Sequence, residues 1–183
     1  MRTIGIVGTQ PRIGTTTQAL QIVQCLRELE YSTGYVEMGN QGYINRLQEL
    51  YEDIRIEKHG LYVYRDIPLH ENVLEANRLG YDYLIKDYGC VTAPKYQELS
   101  YLEQDVKIIV GGVKANEIEW VERLMEDIRY IDATYILNFV SQEEQQEVKD
   151  LMGEFKQNTY FSLYTPDPFS YVENEAYAYI LGE

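Results

Sequence analysis

Two kinds of hydrophobic pattern alternate along the chain. Short, nearly unbroken apolar runs occur at "RTIGIVG" (2–8), "YDYLIKDYG" (81–89), "VKIIVGG" (106–112) and "ATYILNFV" (133–140), which is how strands buried on both faces read. Between and around them, apolar residues recur with a helical period. From Ile13 onward Ala19, Ile22, Val23, Leu26 and Leu29 form one stripe, and over 115–128 Ile118, Val121, Leu124, Met125 and Ile128 form another. Weaker patterns predict a strand at 33–38, a helix at 43–52, a strand at 61–67 and a helix at 72–80 closed by Gly80. A helix over 143–155, a strand at 159–164 and a last helix near 169–180 complete the series. Strands separated by helices of this length imply right-handed βαβ units. The expected fold class is α/β, a doubly wound, mostly parallel sheet with helices on both faces. No linker-like stretch or internal repeat divides the 183 residues, so 1–183 is read as a single domain.

This architecture gives the strand ends their importance, because ligands of open α/β sheets bind at the carboxyl edge. Residues 8–17, 37–39, 87–89 and 111–114 fall along that rim. The first of these segments belongs to "GIVGTQPRIGTTTQAL" (5–20), a strand, a glycine-bearing turn and a helix start. Such a turn directs successive amide N–H groups at an anion, and the helix dipole adds partial positive charge. Gly14 permits close approach, while Thr15, Thr16 and Thr17 offer hydroxyls. By position Thr16 is the residue that would hold Mg²⁺, and Thr15 stands where a phosphate loop carries its lysine. Asp87, ending the apolar strand of 81–89, is placed where such a protein needs an acid for the metal. The plainer alternatives are a βα turn with capping threonines and an ordinary strand-end Asp.

Composition narrows the class of function. The formal net charge is −14, with acids and bases mixed along the helices, which opposes strong nucleic-acid binding through phosphate neutralisation. No apolar run approaches the ~20 residues needed to cross a bilayer, and no leader pattern precedes the first strand. Two cysteines, Cys25 and Cys90, are too few and too poorly spaced for a metal site and read as buried thiols. A cytoplasmic protein without an intrinsic membrane anchor is expected. The 18 tyrosines read mainly as filler at sheet edges and helix flanks.

Taken in order, "GTQPRIGTTTQALQIVQCL", "TGYVEMGNQGY", "YDYLIKDYG", "KIIVGGVKANEIEWVERLM", "YILNFVS" and "LYTPDPF" resemble the MinD/ParA branch of P-loop ATPases along nearly the whole chain. The Gly-Thr-Thr-Thr ending looks most like the CpaE/TadZ type of Tad/Flp pilus assembly, with a degenerate Walker A loop. The resemblance implies binding of ATP or ADP with Mg²⁺, a nucleotide-gated homodimer, and a bacterial protein partner in pilus or localisation machinery. The implied nucleotide contacts are Gln10, Pro11, Arg12, Ile13, Gly14, Thr15, Thr16 and Thr17. Thr16 and Asp87 are the implied metal residues. Asn138 matches the branch's adenine-binding Asn, and Pro166 and Asp167 match its late Pro-Asp loop near the base.

Departures from the branch bear on catalysis. Gln10 replaces its signature lysine, Thr15 its loop lysine, and Glu37-Met38-Gly39 its Asp-x-Asp. Arg12 is the only cation in the loop. Glu37 and Asp87 are the remaining candidates for catalytic acids. Because phosphoryl transfer rests on positioning and charge neutralisation, weak or absent ATPase activity is expected. Two alternatives stay open. One is an active ATPase using Arg12 and Glu37 in place of the usual groups, and the other is a nucleotide-free interaction domain on the same fold. A bacterial tyrosine-kinase relative fits poorly, since the C-terminal tyrosines are spread out and the loop lysine is missing.

Overall fold

The computed structural model describes residues 1–39, 41–57 and 60–182. A nine-stranded sheet forms its centre. The strands are β1 (Arg2–Gly8), β2 (Thr33–Glu37), β3 (Arg55–Ile56), β4 (Leu61–Tyr64), β5 (Ile67–His70), β6 (Tyr83–Cys90), β7 (Val106–Gly112), β8 (Thr134–Asn138) and β9 (Thr159–Phe161). The helices are α1 (Thr15–Glu28), α2 (Tyr43–Leu50), α3 (Val73–Arg78), α4 (Glu98–Leu102), α5 (Ala115–Met125), α6 (Gln145–Leu151) and α7 (Glu175–Leu181).

The strand order is β3-β4-β5-β2-β6-β1-β7-β8-β9. From β5 to β9 every neighbouring pair is parallel, and only the β3-β4-β5 edge is antiparallel. The sheet is therefore doubly wound. β1 lies between β6 and β7, so its carboxyl end marks the switch in winding direction, where an open α/β sheet places its ligand.

Period-two alternation along the strands splits the core in two. Ile4, Ile6, Ile108, Val110 and Ile136 pack with Leu20, Val23 and Leu26 of α1 and Tyr177 of α7. Val7, Ile109, Tyr135 and Leu137 face the other way, against Tyr101 of α4, Val121 of α5 and Val148 of α6. Both faces of the sheet are thus covered by helices. Cys25 and Cys90 are buried free thiols, in line with the sequence. Among the described residues no helix is long and apolar enough to cross a membrane.

Several elements differ from the sequence reading. The run 61–67 is two strands joined by a tight turn at Arg65 and Asp66, both at positive φ (47° and 63°), the geometry a two-residue hairpin demands. The last helix begins only at Glu175, because the segment before it carries Pro166, Pro168 and an Asp167 carboxylate that accepts from the Phe169 amide. α5 stops at Met125, and Ile128 is exposed in a short 3₁₀ turn instead of on the helical stripe. Tyr35, Tyr88, Tyr101, Tyr130, Tyr135 and Tyr177 are buried in the core rather than flanking it. Most of their hydroxyls reach a partner, for example Tyr101 to the Ile108 carbonyl at 3.1 Å, which is what makes burying them tolerable.

Candidate functional site

The loop between β1 and α1 is built on two glycines that do different work. At Gly8 a Cβ would lie 2.2 Å from Thr15 Oγ1 and 2.7 Å from Ile13 Cγ2. Gly8 therefore makes room for Thr15, whose side chain folds back into the structure instead of projecting as a loop lysine would. Gly14, at φ +98°, turns the chain into α1 through the left-handed region, and a Cβ there would meet Asn138 Nδ2 at 2.7 Å. Arg12 is also left-handed (φ 63°). It is exposed and makes no ion pair among the described residues, so it is a free cation at the loop tip. α1 carries no acid in its first turn, leaving the positive end of its dipole uncompensated.

Thr16 and Asp87 come together behind this loop. The Thr16 hydroxyl donates to Asp87 Oδ2 at 2.6 Å, the Tyr35 hydroxyl donates to the same oxygen at 2.9 Å, and the Gly89 amide donates to Oδ1 at 2.9 Å. Asp87 is fully buried. Burial pushes its carboxyl above the ordinary range, and the three donors only partly offset that. Because the Thr16 proton points at Asp87, the hydroxyl's lone pairs remain available on the half-buried side of Thr16.

Glu37 is occupied differently. Its two oxygens accept from the amides of Tyr43 (2.9 Å) and Ile44 (3.1 Å), so it caps α2. The following segment is pinned to β6, with the Met38 and Gly39 amides donating to the Asp87 carbonyl at 2.8 and 3.1 Å.

On the other side of the loop a cleft of about 400 Å³ opens between the ends of β8 and β9, bordered by Gly14, Thr17, Asn138, Phe139, Tyr164 and Pro166 among others. Asn138 Nδ2 donates to the Ile13 carbonyl, and Gln18 Nε2 donates to Asn138 Oδ1 at 3.3 Å. Asp167 lies off the cleft, accepting from Arg65 at 2.6 Å in an ion pair with the β4–β5 turn. Of the residues singled out in the sequence, Gly14, Thr17, Asn138 and Pro166 border this cleft, and Thr16 and Asp87 meet beside it. Gln10, Pro11 and Arg12 form the outer loop, Ile13 and Thr15 are buried under it, and Glu37 and Asp167 are engaged elsewhere. Tyr35, Gln18 and Phe139 join the site without having stood out in the sequence. A glutamine within the apolar stripe of α1 is the readable sign of one of them.

A larger groove of about 710 Å³ lies at the opposite end of α1, between its last turn and α7. It presents Glu28, Glu173 and Glu175, three carboxylates that would repel phosphate. The loop end of α1 is the better anion site.

Solved structures with the same topology place this geometry in context. The MinC:MinD cell division complex of Aquifex aeolicus superposes with a TM-score of 0.67 at 16% identity, covering 91% of this chain and 83% of that one. A putative plasmid partition protein of Borrelia burgdorferi bound to AMPPNP gives 0.64 at 14%, covering 99% and 96%. The fold is that of MinD and ParA. A third MinD- or ParA-like structure, pNOB8 ParA bound to nonspecific DNA, gives 0.56 at 13%, covering 91% and 83%. No protein-family profile matches the sequence, and no curated protein matches it at a significant level.

Proposed function

We propose that this chain binds ATP or ADP with Mg²⁺ at the β1–α1 loop, hydrolyses it slowly or not at all, and acts as a nucleotide-gated, dimerising scaffold or localisation factor. The observation that carries the reading is the 2.6 Å hydrogen bond from Thr16 to Asp87 beneath a glycine-bent loop at the N-terminus of the 14-residue α1. The donor set fits the metal: a hydroxyl oriented by a buried carboxylate keeps its lone pairs for a hard cation, while Asp87 accepts the hydroxyl's hydrogen bond. When bound, Mg²⁺ would supply charge neutralisation of the phosphates. The loop amides of Gln10 and of Arg12 to Thr17 would bind the phosphate oxygens, Pro11 having no N–H, and Gly14, Thr17, Asn138 and Pro166 would border the sugar and base.

Slow hydrolysis follows from what this chain offers the reacting phosphate. Arg12 is the loop's one cation, and both Glu37 oxygens are engaged by α2 amides. That engagement weakens the alternative in which Arg12 and Glu37 replace the usual catalytic groups. A CpaE/TadZ-like role in pilus assembly is the cellular setting we propose, supported by the form of the loop. DNA binding, the state in which pNOB8 ParA was solved, is not proposed for a chain of net charge −14.

Calorimetric titration of ATP and ADP with and without Mg²⁺, on wild type and Gly14→Asp, tests this reading, with steady-state phosphate release measured beside Asp87→Ala. Mg²⁺-dependent binding lost in Gly14→Asp, with negligible turnover, is expected. Absence of binding at millimolar nucleotide would refute the proposal in favour of a nucleotide-free interaction domain. That second reading draws on one observation: Thr16, Asp87 and Asn138 already satisfy one another or the loop.

A further inference from the structure

Phe139 is the least ordinary residue of the cleft wall. It follows Asn138 directly, it is 67% exposed, and its backbone is left-handed at φ 61°, an outlier for a bulky side chain. Tyr164, 79% exposed, borders the same cleft from the segment after β9. Lys114 Nζ lies 5.4 Å from the Phe139 ring centroid, a cation–π contact that steadies the ring. Two solvent-facing aromatic rings thus border one cleft whose inner end is the phosphate-binding loop.

The amide that would read a base edge is engaged elsewhere. Asn138 Nδ2 donates to the Ile13 carbonyl, Asn138 Oδ1 accepts from Gln18, and Gln18 Oε1 accepts from the Tyr177 hydroxyl at 2.7 Å. All of these groups are buried. Turning Asn138 toward a ligand would leave the Ile13 carbonyl and the Gln18 amide unpaired, which buried polar groups tolerate poorly. Stacking, by contrast, needs only a π-face, and every base has one.

Resting on the nucleotide-binding reading above, we propose that the base is held by stacking against Phe139 with Tyr164 across the cleft, and not by hydrogen bonds from Asn138, so that the site accepts adenine and guanine alike. Asn138 is then a positioning residue that fixes the loop. Discrimination between purines, which depends on donors and acceptors at the base edge, is given up. Discrimination between purines and pyrimidines remains, because the smaller ring covers less of Phe139.

The test is calorimetry of the whole chain with ATP, GTP, CTP and inorganic tripolyphosphate, each with Mg²⁺, on wild type, Phe139→Ala and Phe139→Tyr. Wild type should bind ATP and GTP within roughly threefold of each other, and CTP more weakly. Phe139→Ala should weaken both purine nucleotides on the order of tenfold and leave tripolyphosphate unchanged, with Phe139→Tyr restoring the loss. Circular dichroism checks the fold of each variant. ATP preferred over GTP by more than about thirtyfold, or purine binding indifferent to Phe139→Ala, overturns the stacking proposal while tripolyphosphate binding still upholds the phosphate loop. If neither tripolyphosphate nor any nucleotide binds, both readings fall.

Discussion

Gly14→Ala is the smallest change that asks whether the loop is shaped as described. The new Cβ meets two obstacles. At φ +98° and ψ 17° the backbone is unfavourable for an L-residue by about 1–2 kcal/mol. The same Cβ would sit 2.7 Å from Asn138 Nδ2, so the Asn138 amide must shift and its hydrogen bond to the Ile13 carbonyl is lost. A buried carbonyl left unpaired costs about 1–3 kcal/mol, giving a total of roughly 2–5 kcal/mol. A double-mutant cycle separates the two contributions. Asn138→Ala alone should cost about 2–6 kcal/mol, because it leaves two groups unpaired, the same Ile13 carbonyl and the Gln18 amide. In the double variant the clash is gone and only the backbone strain is added, so the two effects should fall short of additivity by the doubly counted Ile13 carbonyl, about 1–3 kcal/mol. Urea unfolding of the four proteins, read by circular dichroism, measures this. Additivity to within about 0.5 kcal/mol would refute the argument, since it would mean that Gly14 and Asn138 do not compete for the same space.

Two further outcomes follow from buried ionisable groups. His70 is buried at the end of β5, with Nε2 2.9 Å from the Tyr81 hydroxyl and Nδ1 without a partner, and burial lowers its pKa from 6.5 to about 4. Below pH 6.5 the unfolded chain takes up a proton that the folded chain refuses, so this contribution is full above about 6.5 and is lost as pH falls toward about 4. Acidification through that window should cost wild type about 2–3 kcal/mol more than His70→Gln, measured by urea unfolding at several pH values; parallel curves would count against it. Asp87 shifts the other way: its folded pKa is raised by burial, so keeping it ionised opposes folding above the ordinary carboxylate range, and that opposition is relieved as pH falls. Asp87→Asn should therefore stay within about 1 kcal/mol of wild-type stability at pH 7 while losing the Mg²⁺-dependent part of nucleotide affinity; a loss above ~3 kcal/mol would show that the charge itself stabilises the fold.

The sequence conveyed the parallel part of the sheet well, because β1, β6, β7 and β8 are apolar on both faces and read as continuous runs. It conveyed the antiparallel edge poorly. Arg65 and Asp66 form a hairpin turn without the Asn-Gly signal such turns usually carry, so β4 and β5 merged into one strand. Spacing along the chain was enough to bring Thr16, Asp87 and Asn138 to one rim, because Thr16 opens α1, Asp87 lies near the end of β6 and Asn138 ends β8, elements whose register was already legible. Direction was not legible. Glu37 ends β2 on the same rim, yet its carboxylate bends back to α2, an orientation set by Gly42 in the left-handed region at the start of that helix. Asp167 likewise answers to Arg65, 102 residues away, in a pairing no local pattern encodes.

The buried path from the Ile13 carbonyl through Asn138 and Gln18 ends on Tyr177, a residue of the last helix. The β1–α1 loop is therefore braced by α7, more than 150 residues away along the chain. Whatever docks against α7 and tilts it pulls on Gln18. A displacement of α7 is transmitted through Tyr177 and Gln18 to Asn138, the side chain that holds the Ile13 carbonyl of the β1–α1 loop.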